Sequence, residues 1–355
     1  MLDGAIISSF LINDKLRKQV EKAMQYDVYG IGNALVDMEY KVDDNFLEGN
    51  TIEKGLMTLV EEDRQEEIIN ALASLQQTEI KRQCGGSAAN TMIAVSQFGG
   101  SSFYSFKIAD DALGQFYLDD MNSNNVGTKN TPDNLPEGIT GKCIVMVTPD
   151  AERTMNTYLG ITATLDKQQI DEKALAASKW VYIEGYLVAS PTGQEAALET
   201  MKLASELGVK RSLTMSDPNM VNFFRDNMQQ LMQYGIDLLF CNEQEAKDFT
   251  QTTSLEDARE ALKEYARHFV ITLGKNGAMI WDGTMFVDIE PHAVKEVDTN
   301  GAGDMFAGAF LYAINNGYTY AGAGALASLA SSKLVSQFGP RLTTEEVQEV
   351  RSRDL

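Results

Sequence analysis

The segment Asp298-Thr299-Asn300-Gly301-Ala302-Gly303-Asp304 sets a run of small residues between two acids, directly ahead of an apolar stretch of helical period from Met305 to Ile314. A helix that starts here leaves its first amides without intrahelical partners, so the N–H groups of Gly301, Ala302 and Gly303 form a candidate anion cradle at the positive end of a helix dipole. Small side chains let the backbone approach a transferring phosphoryl group, and Asp304 stands where it could accept the proton of an attacking hydroxyl. The chemistry that suits this set is phosphoryl transfer to an alcohol with Asp304 as general base, in which positioning and electrostatics do most of the catalysis. The same residues also fit a plainer role, in which the glycines start a tightly packed helix and Asp304 satisfies its dipole. A Gly-rich loop alone does not separate the two.

Charge and composition narrow the field. The chain has 355 residues, 44% of them hydrophobic, enough to bury the core of one large domain or of one domain with an appendage. Lys and Arg number 30 against 51 Asp and Glu, a net charge of −21, which repels nucleic-acid phosphates and anionic membranes, so neither is expected as a partner. A protein this acidic that handles a nucleotide must hold phosphate locally, through amides, helix ends and a metal ion. Cys84, Cys143 and Cys241 are odd in number and far apart, which fits neither a disulfide framework nor a CxxC zinc site and implies a reducing cytoplasm. His268 and His292 form no HExxH pair, so zinc is not expected. The apolar run from Ala5 to Ile12 is short and preceded by Asp3, unlike a signal peptide or a membrane span.

The elements that must position the segment are those of an α/β chain, because apolar β-branched runs alternate with stretches of helical period. Strands are expected at Asp27 to Ile31, Trp180 to Ile183, Arg211 to Met215, Leu238 to Cys241 and Phe269 to Leu273, and helices at Thr192 to Leu207, Phe223 to Tyr234 and Leu255 to Arg267. Ser254 caps the last of these, and a helix after Ser87 stops at Gly99-Gly100. Two regions break the rhythm, about 38–83 and 126–162, with short alternating runs and Gly and Pro punctuation that imply a small lid sheet. Asp282-Gly283 between alternating residues marks a hairpin from Ala278 to Ile289. Residues 1–25 read as an N-terminal extension to a domain spanning 26–355.

With these elements in place, Asp298 to Asp304 resembles the C-terminal signature of the ribokinase-like (PfkB) kinase family, and Gly85-Gly86-Ser87-Ala88-Ala89-Asn90 resembles its N-terminal one. Gly32-Asn33-Ala34-Leu35-Val36-Asp37 and Asn242-Glu243-Gln244-Glu245-Ala246 resemble two further motifs, in the order found in adenosine kinases, and Thr272-Leu273-Gly274-Lys275-Asn276-Gly277 resembles a nucleotide loop. The resemblance implies a ribokinase-like α/β fold, a three-layer α/β/α domain with a mostly parallel central sheet and a small β-sheet lid. It implies an ATP-dependent kinase using Mg²⁺, with Asp304 as base, an anion hole at Gly301, Ala302 and Gly303, and a sugar held by Asn33, Asp37, Gly85, Gly86 and Asn90. By the same resemblance Asn242 and Glu245 hold Mg²⁺ and phosphate through water, and Asn219, Thr272, Gly274 and Gly277 line the nucleotide. Arg153, on the lid, corresponds to an arginine brought to the transferring phosphate, and Asp298 to a position that in some members helps bind a monovalent cation such as K⁺. The expected acceptor is a small molecule, a purine nucleoside with adenosine foremost; inosine, guanosine or a free sugar stay open, and the chain is expected to work as a monomer or homodimer.

Rival classes find less support. Gly30-Ile31-Gly32 follows a strand, but the third glycine of a dinucleotide fingerprint is replaced by Leu35. No GxxxxGK[ST] occurs. A nucleotide-binding regulator that has lost catalysis is the rival from another class, and Asp304 stands against it.

Overall fold

The computed structural model describes residues 25–76, 79–150 and 152–353; the expected extension lies outside the described residues except for Gln25. Among the described residues the strands, in chain order, are β1 (Tyr26–Ile31), β2 (Leu35–Lys41), β3 (Met57–Leu59), β4 (Glu79–Gly85), β5 (Ser102–Ser105), β6 (Val126–Gly127), β7 (Gly141–Val147), β8 (Arg153–Tyr158), β9 (Ser178–Ile183), β10 (Lys210–Thr214), β11 (Leu238–Asn242), β12 (Phe269–Thr272), β13 (Ala278–Trp281) and β14 (Phe286–Ile289). Nine form one sheet in the order β14-β13-β12-β11-β10-β9-β1-β5-β6. Pairing is parallel from β12 through to β6, and β13 and β14 add the antiparallel hairpin across Asp282-Gly283.

Side-chain alternation on these strands creates the layers. Val28, Trp180 and Tyr182 enter one apolar cluster, whereas Tyr29, Ile31, Val181 and Ile183 enter another on the opposite face. A parallel strand buried on both faces needs helices on both, which is why its sequence reads as a continuous apolar run. The first face is covered by Ser87–Gln97, Ala302–Asn315 and Tyr320–Val335, and the second by Pro191–Leu207, Pro218–Met232 and Glu243–Thr250. This is the three-layer α/β/α arrangement with a mostly parallel sheet that the resemblance implied. The strand order reverses at β1, which has β9 on one side and β5 on the other, and such a reversal opens a crevice beyond the carboxyl ends of the strands.

A second sheet has the order β3-β8-β7-β2-β4 and a core of its own, in which Tyr40, Phe46, Leu47, Ile68, Ile144 and Met146 meet. Its limits differ from those expected. It begins at Leu35 and its first segment ends at Gly85, while Val126–Gly127 pairs with β5 in the large sheet instead. The 38–83 region also contains two helices, Asp44–Gly49, capped by the Asp43 side chain, and Glu62–Ser74, which turns Gln65, Ile68 and Leu72 inward at helical spacing. Elsewhere, the helix expected from Phe223 starts at Pro218, because Asp217 caps it and proline is pre-organised for a first turn. The helix expected to reach Arg267 ends at Leu262. Among the described residues no helix is long and apolar enough to cross a membrane.

Candidate active site

β1 and β9 end side by side, Ile31 opposite Ile183, and the residues just beyond them begin the site. Glu184 is 1% exposed. Its Oε1 accepts the backbone N–H of Asn33 at 3.1 Å and the Asn33 amide at 2.9 Å, and its Oε2 accepts the N–H of Ala88 at 2.9 Å. One buried carboxylate therefore fastens the loop after β1 to the first turn of the helix Ser87–Gln97. Burial raises its pKa to about 7, against the lowering effect of these donors.

The two loops that Glu184 joins bring the expected sugar-binding residues together. Gly86 has φ +103°, and a Cβ there would lie 2.4 Å from the Asn33 carbonyl oxygen. The Asp37 carboxylate packs against Gly85, where a Cβ would meet its oxygens at 2.9 Å. Burial pushes Asp37 up to about 6, opposed by the charges of Arg341 and Arg153. Because only a residue without a side chain fits the junction, Gly86→Ala should fold yet raise the acceptor KM by ~10-fold, with the KM for nucleotide within about twofold of wild type. Initial-rate measurements with each substrate varied in turn check this.

Asp304 lies in the first turn of the helix Ala302–Asn315, whose cap Gly301 is left-handed. Its carboxylate accepts the Ser87 hydroxyl at 2.6 Å and the Asn90 amide at 3.0 Å. Burial raises its pKa to about 6, while those hydrogen bonds and the Arg341 charge pull it down. The cradle differs from expectation at one residue. The Ala302 N–H donates to the Thr299 carbonyl at 3.2 Å, closing a turn, whereas the amides of Gly301, Gly303 and Asp304 have no protein acceptor among the described residues. The turn that makes Gly301 left-handed consumes one amide and leaves the flanking ones open.

A cavity of about 420 Å³ adjoins the cradle, within the ~300–1,000 Å³ range of ligand pockets. Ala302 and Gly303 line one part of it, and Thr272, Gly274, Lys275 and Gly277 another. Asn219, Asn242 and Glu245 do not line it. Asn219 is exposed and its backbone N–H donates to the Asp217 carboxylate at 2.7 Å. Asn242 and Glu245 form a capping box: the Asn242 side chain accepts the Glu245 N–H at 2.8 Å, and the two Glu245 oxygens accept the Asn242 N–H at 2.9 Å and its amide at 2.8 Å. Each oxygen of this carboxylate, 4% exposed, thus accepts one hydrogen bond inside the box and keeps a second lone pair, so the capping box and the expected hold on Mg²⁺ through water are compatible. Among the described residues no group of three or more His, Cys, Asp or Glu could hold a metal ion. Mg²⁺ carried on nucleotide phosphates, keeping most of its water, needs no such group.

Arg153 reaches from the small sheet to the phosphoryl segment. Its guanidinium lies 3.1 Å from Asp298 and 3.4 Å from Glu39, and Asp298 also accepts the N–H groups of Gly339 at 2.8 Å and Asn300 at 3.1 Å. Asp298, expected beside a monovalent cation, here faces a guanidinium. The gap among Asp37, Glu39, Arg153 and Asn300 is about 10 Å³, room for roughly one water. Sequence reading missed Glu184 and Arg341; Ser87 and Lys275 lay inside recognised motifs without an assigned role.

The sequence model of the family described as pfkB family carbohydrate kinase matches residues 56–347. The adenosine kinase of Saccharomyces cerevisiae is 25% identical over 338 residues, 89% of this chain and 97% of that one; the ribokinase of Mus musculus is 28% identical over 237 residues, 64% of this chain and 70% of that one. Among solved structures, an adenosine kinase from Sinorhizobium meliloti superposes with a TM-score of 0.83 at 34% identity, covering 93% of this chain and 99% of that one. A probable sugar kinase from Rhizobium etli superposes with a TM-score of 0.83 at 32% identity, covering 94% and 100%.

Proposed function

This chain belongs to the pfkB family of carbohydrate kinases and is an ATP-dependent sugar or nucleoside kinase; from that premise we propose that its acceptor is the 5′-hydroxyl of a purine nucleoside, adenosine giving AMP. The observation that carries the mechanism is the 3.0 Å hydrogen bond from Asn90 to Asp304, which puts the acceptor motif and the base in contact across 214 residues of sequence. Ionised Asp37 accepts vicinal ribose hydroxyls, and the amides of Asn33 and Asn90, beside the Gly85-Gly86 backbone, direct the sugar so that its 5′-hydroxyl meets Asp304. Asp304 takes the hydroxyl proton as the oxygen bonds to the γ-phosphorus; the bond from that phosphorus to the β,γ-bridging oxygen breaks, and ADP leaves. The open amides of Gly301 and Gly303 face the charge on the transferring group. Arg153 meets the same charge when it exchanges Asp298 and Glu39 for phosphate, a step tied to movement of the small sheet. Mg²⁺ arriving on the nucleotide would neutralise part of the phosphate charge.

Matches along most of the chain to proteins named adenosine kinase support the nucleoside reading, while a probable sugar kinase superposes over a similar span, 94% of the chain. A free-sugar acceptor is the second reading, favoured by the Lys81 and Gln83 side chains beside Asp37, where a flat base would need an apolar wall. Incubation with Mg-ATP and a panel of nucleosides and sugars, with ADP release followed, decides between them. Adenosine is expected to exceed ribose and fructose in kcat/KM by ~100-fold or more. A free sugar as best acceptor would overturn the nucleoside reading alone; no turnover above water with any acceptor would overturn the catalytic assignment.

A further inference from the structure

We propose that Arg341 is a positioning residue for phosphoryl transfer, holding Asn90 so that its amide nitrogen, and not its oxygen, faces Asp304. The inference rests on Asp304 being the base. Arg341 Nε donates to Asn90 Oδ1 at 2.8 Å, and Asn90 Nδ2 donates to Asp304 Oδ2 at 3.0 Å. A guanidinium carries only donors, so the amide oxygen must turn toward it and the NH₂ group toward the carboxylate. Arg341 is itself fixed at its other two nitrogens, Nη1 on Asp120 Oδ2 at 2.6 Å and Nη2 on the Cys84 carbonyl at 2.5 Å. The result is a chain from Asp120 through Arg341 and Asn90 to Asp304, built from segments more than two hundred residues apart.

The charge of Arg341 also bears on the acids around it. Ser87 and Asn90 from the helix Ser87–Gln97 touch Asp304, and the charged and titratable groups whose fields couple with it are Glu184 beyond β9, the phenols of Tyr104 on β5, Tyr182 on β9 and Tyr186, and Arg341 from the loop after Tyr320–Val335. Arg341 is the cation in that set. Its removal withdraws an influence that keeps Asp304 ionised at lower pH, so the acidic midpoint of the kcat profile should move upward.

The test uses the whole enzyme with Mg-ATP and the best acceptor of the panel, comparing Arg341→Met and Arg341→Lys with wild type. Arg341→Met is expected to lower kcat by ~30-fold, to raise the acidic midpoint, and to leave the KM for ATP within about twofold. Arg341→Lys keeps the charge but lacks the planar fork, so its midpoint should return toward wild type while kcat recovers only in part. A role confined to stability would lower the melting temperature without moving the midpoint, and would overturn the proposal. If Arg341→Met does not fold, Arg341→Lys decides: reduced kcat at a near-wild-type midpoint supports the role, and wild-type kcat overturns it. Wild-type turnover with an Arg341→Met profile superposed on it removes Arg341 alone, whereas a wild type inactive on every acceptor removes the kinase reading beneath it.

Discussion

Asp304→Asn is expected to lower kcat by ~10³-fold, inside the ~10²–10⁴ span of general-base removal, while nucleotide binding persists. The substitution is nearly isosteric, and its hydrogen bonds can be kept. Asparagine can accept from Asn90 through its oxygen and donate to Ser87, whose hydroxyl turns from donor to acceptor. The melting temperature should hold or rise. A folded-state pKa of about 6, above the ~3.9 of an unfolded Asp, means that this group's contribution to stability is present at low pH and lost as pH rises through 6, so the ionised side chain costs stability at neutral pH. The pH profile separates Asp304 from Asp37, which burial also raises to about 6. Asp304 ionises in the ternary complex and should set the rising limb of kcat, whereas Asp37 acts in acceptor binding and should appear in kcat/KM. Asp304→Asn should therefore abolish the limb in kcat and leave one in kcat/KM. Turnover within about tenfold of wild type, with the limb in kcat intact, would remove Asp304 from its role.

What could be read from the sequence was what neighbours along the chain determine. Alternation gave the strands, Asp282-Gly283 the hairpin, and Ser254 the cap, which accepts the Asp257 N–H at 3.1 Å. The Gly-rich segment was legible because its amides and its carboxylate lie within one turn. The three-residue spacing of Asn242 and Glu245 was legible too, and it serves a capping box, which the hydrogen bonds show, as readily as a hold on phosphate. Glu184 and Arg341 carried no local signal, since their partners lie 151 residues away at Asn33 and 251 at Asn90. A single Glu after a strand, or a single Arg after a Gly-Pro, becomes informative only when topology places it. The two-residue strand β6 was too short to show a period, and so the second lid region was drawn to begin within the large sheet.

Gly301→Ala is expected to lower kcat by ~10²–10³-fold, the scale seen when anion-hole donors are displaced. Gly301 has φ +75°, and a Cβ would fall 2.5 Å from the Pro340 carbonyl oxygen and 2.7 Å from its Cα. Both obstacles are backbone, which cannot swing aside like the end of a side chain. Either the Gly301–Asp304 turn moves, carrying the open amides away from the phosphoryl position, or the Gly339–Arg341 loop moves. The second route is as damaging, because the Gly339 N–H holds Asp298 at 2.8 Å and Arg341 holds Asn90 at 2.8 Å. Strain of ~1–3 kcal/mol should also appear as a lower melting temperature. Gly303→Ala separates strain from catalysis, since a Cβ at Gly303 meets no atom within 4 Å beyond its chain neighbours and its own helix backbone and should leave stability unchanged while its methyl crowds the nucleotide side of the cavity. The expected pattern is a fall in kcat and melting temperature for Gly301→Ala, and a raised KM for ATP at unchanged melting temperature for Gly303→Ala. Wild-type kcat in Gly301→Ala would mean that the transferring group is held somewhere other than at the head of this helix.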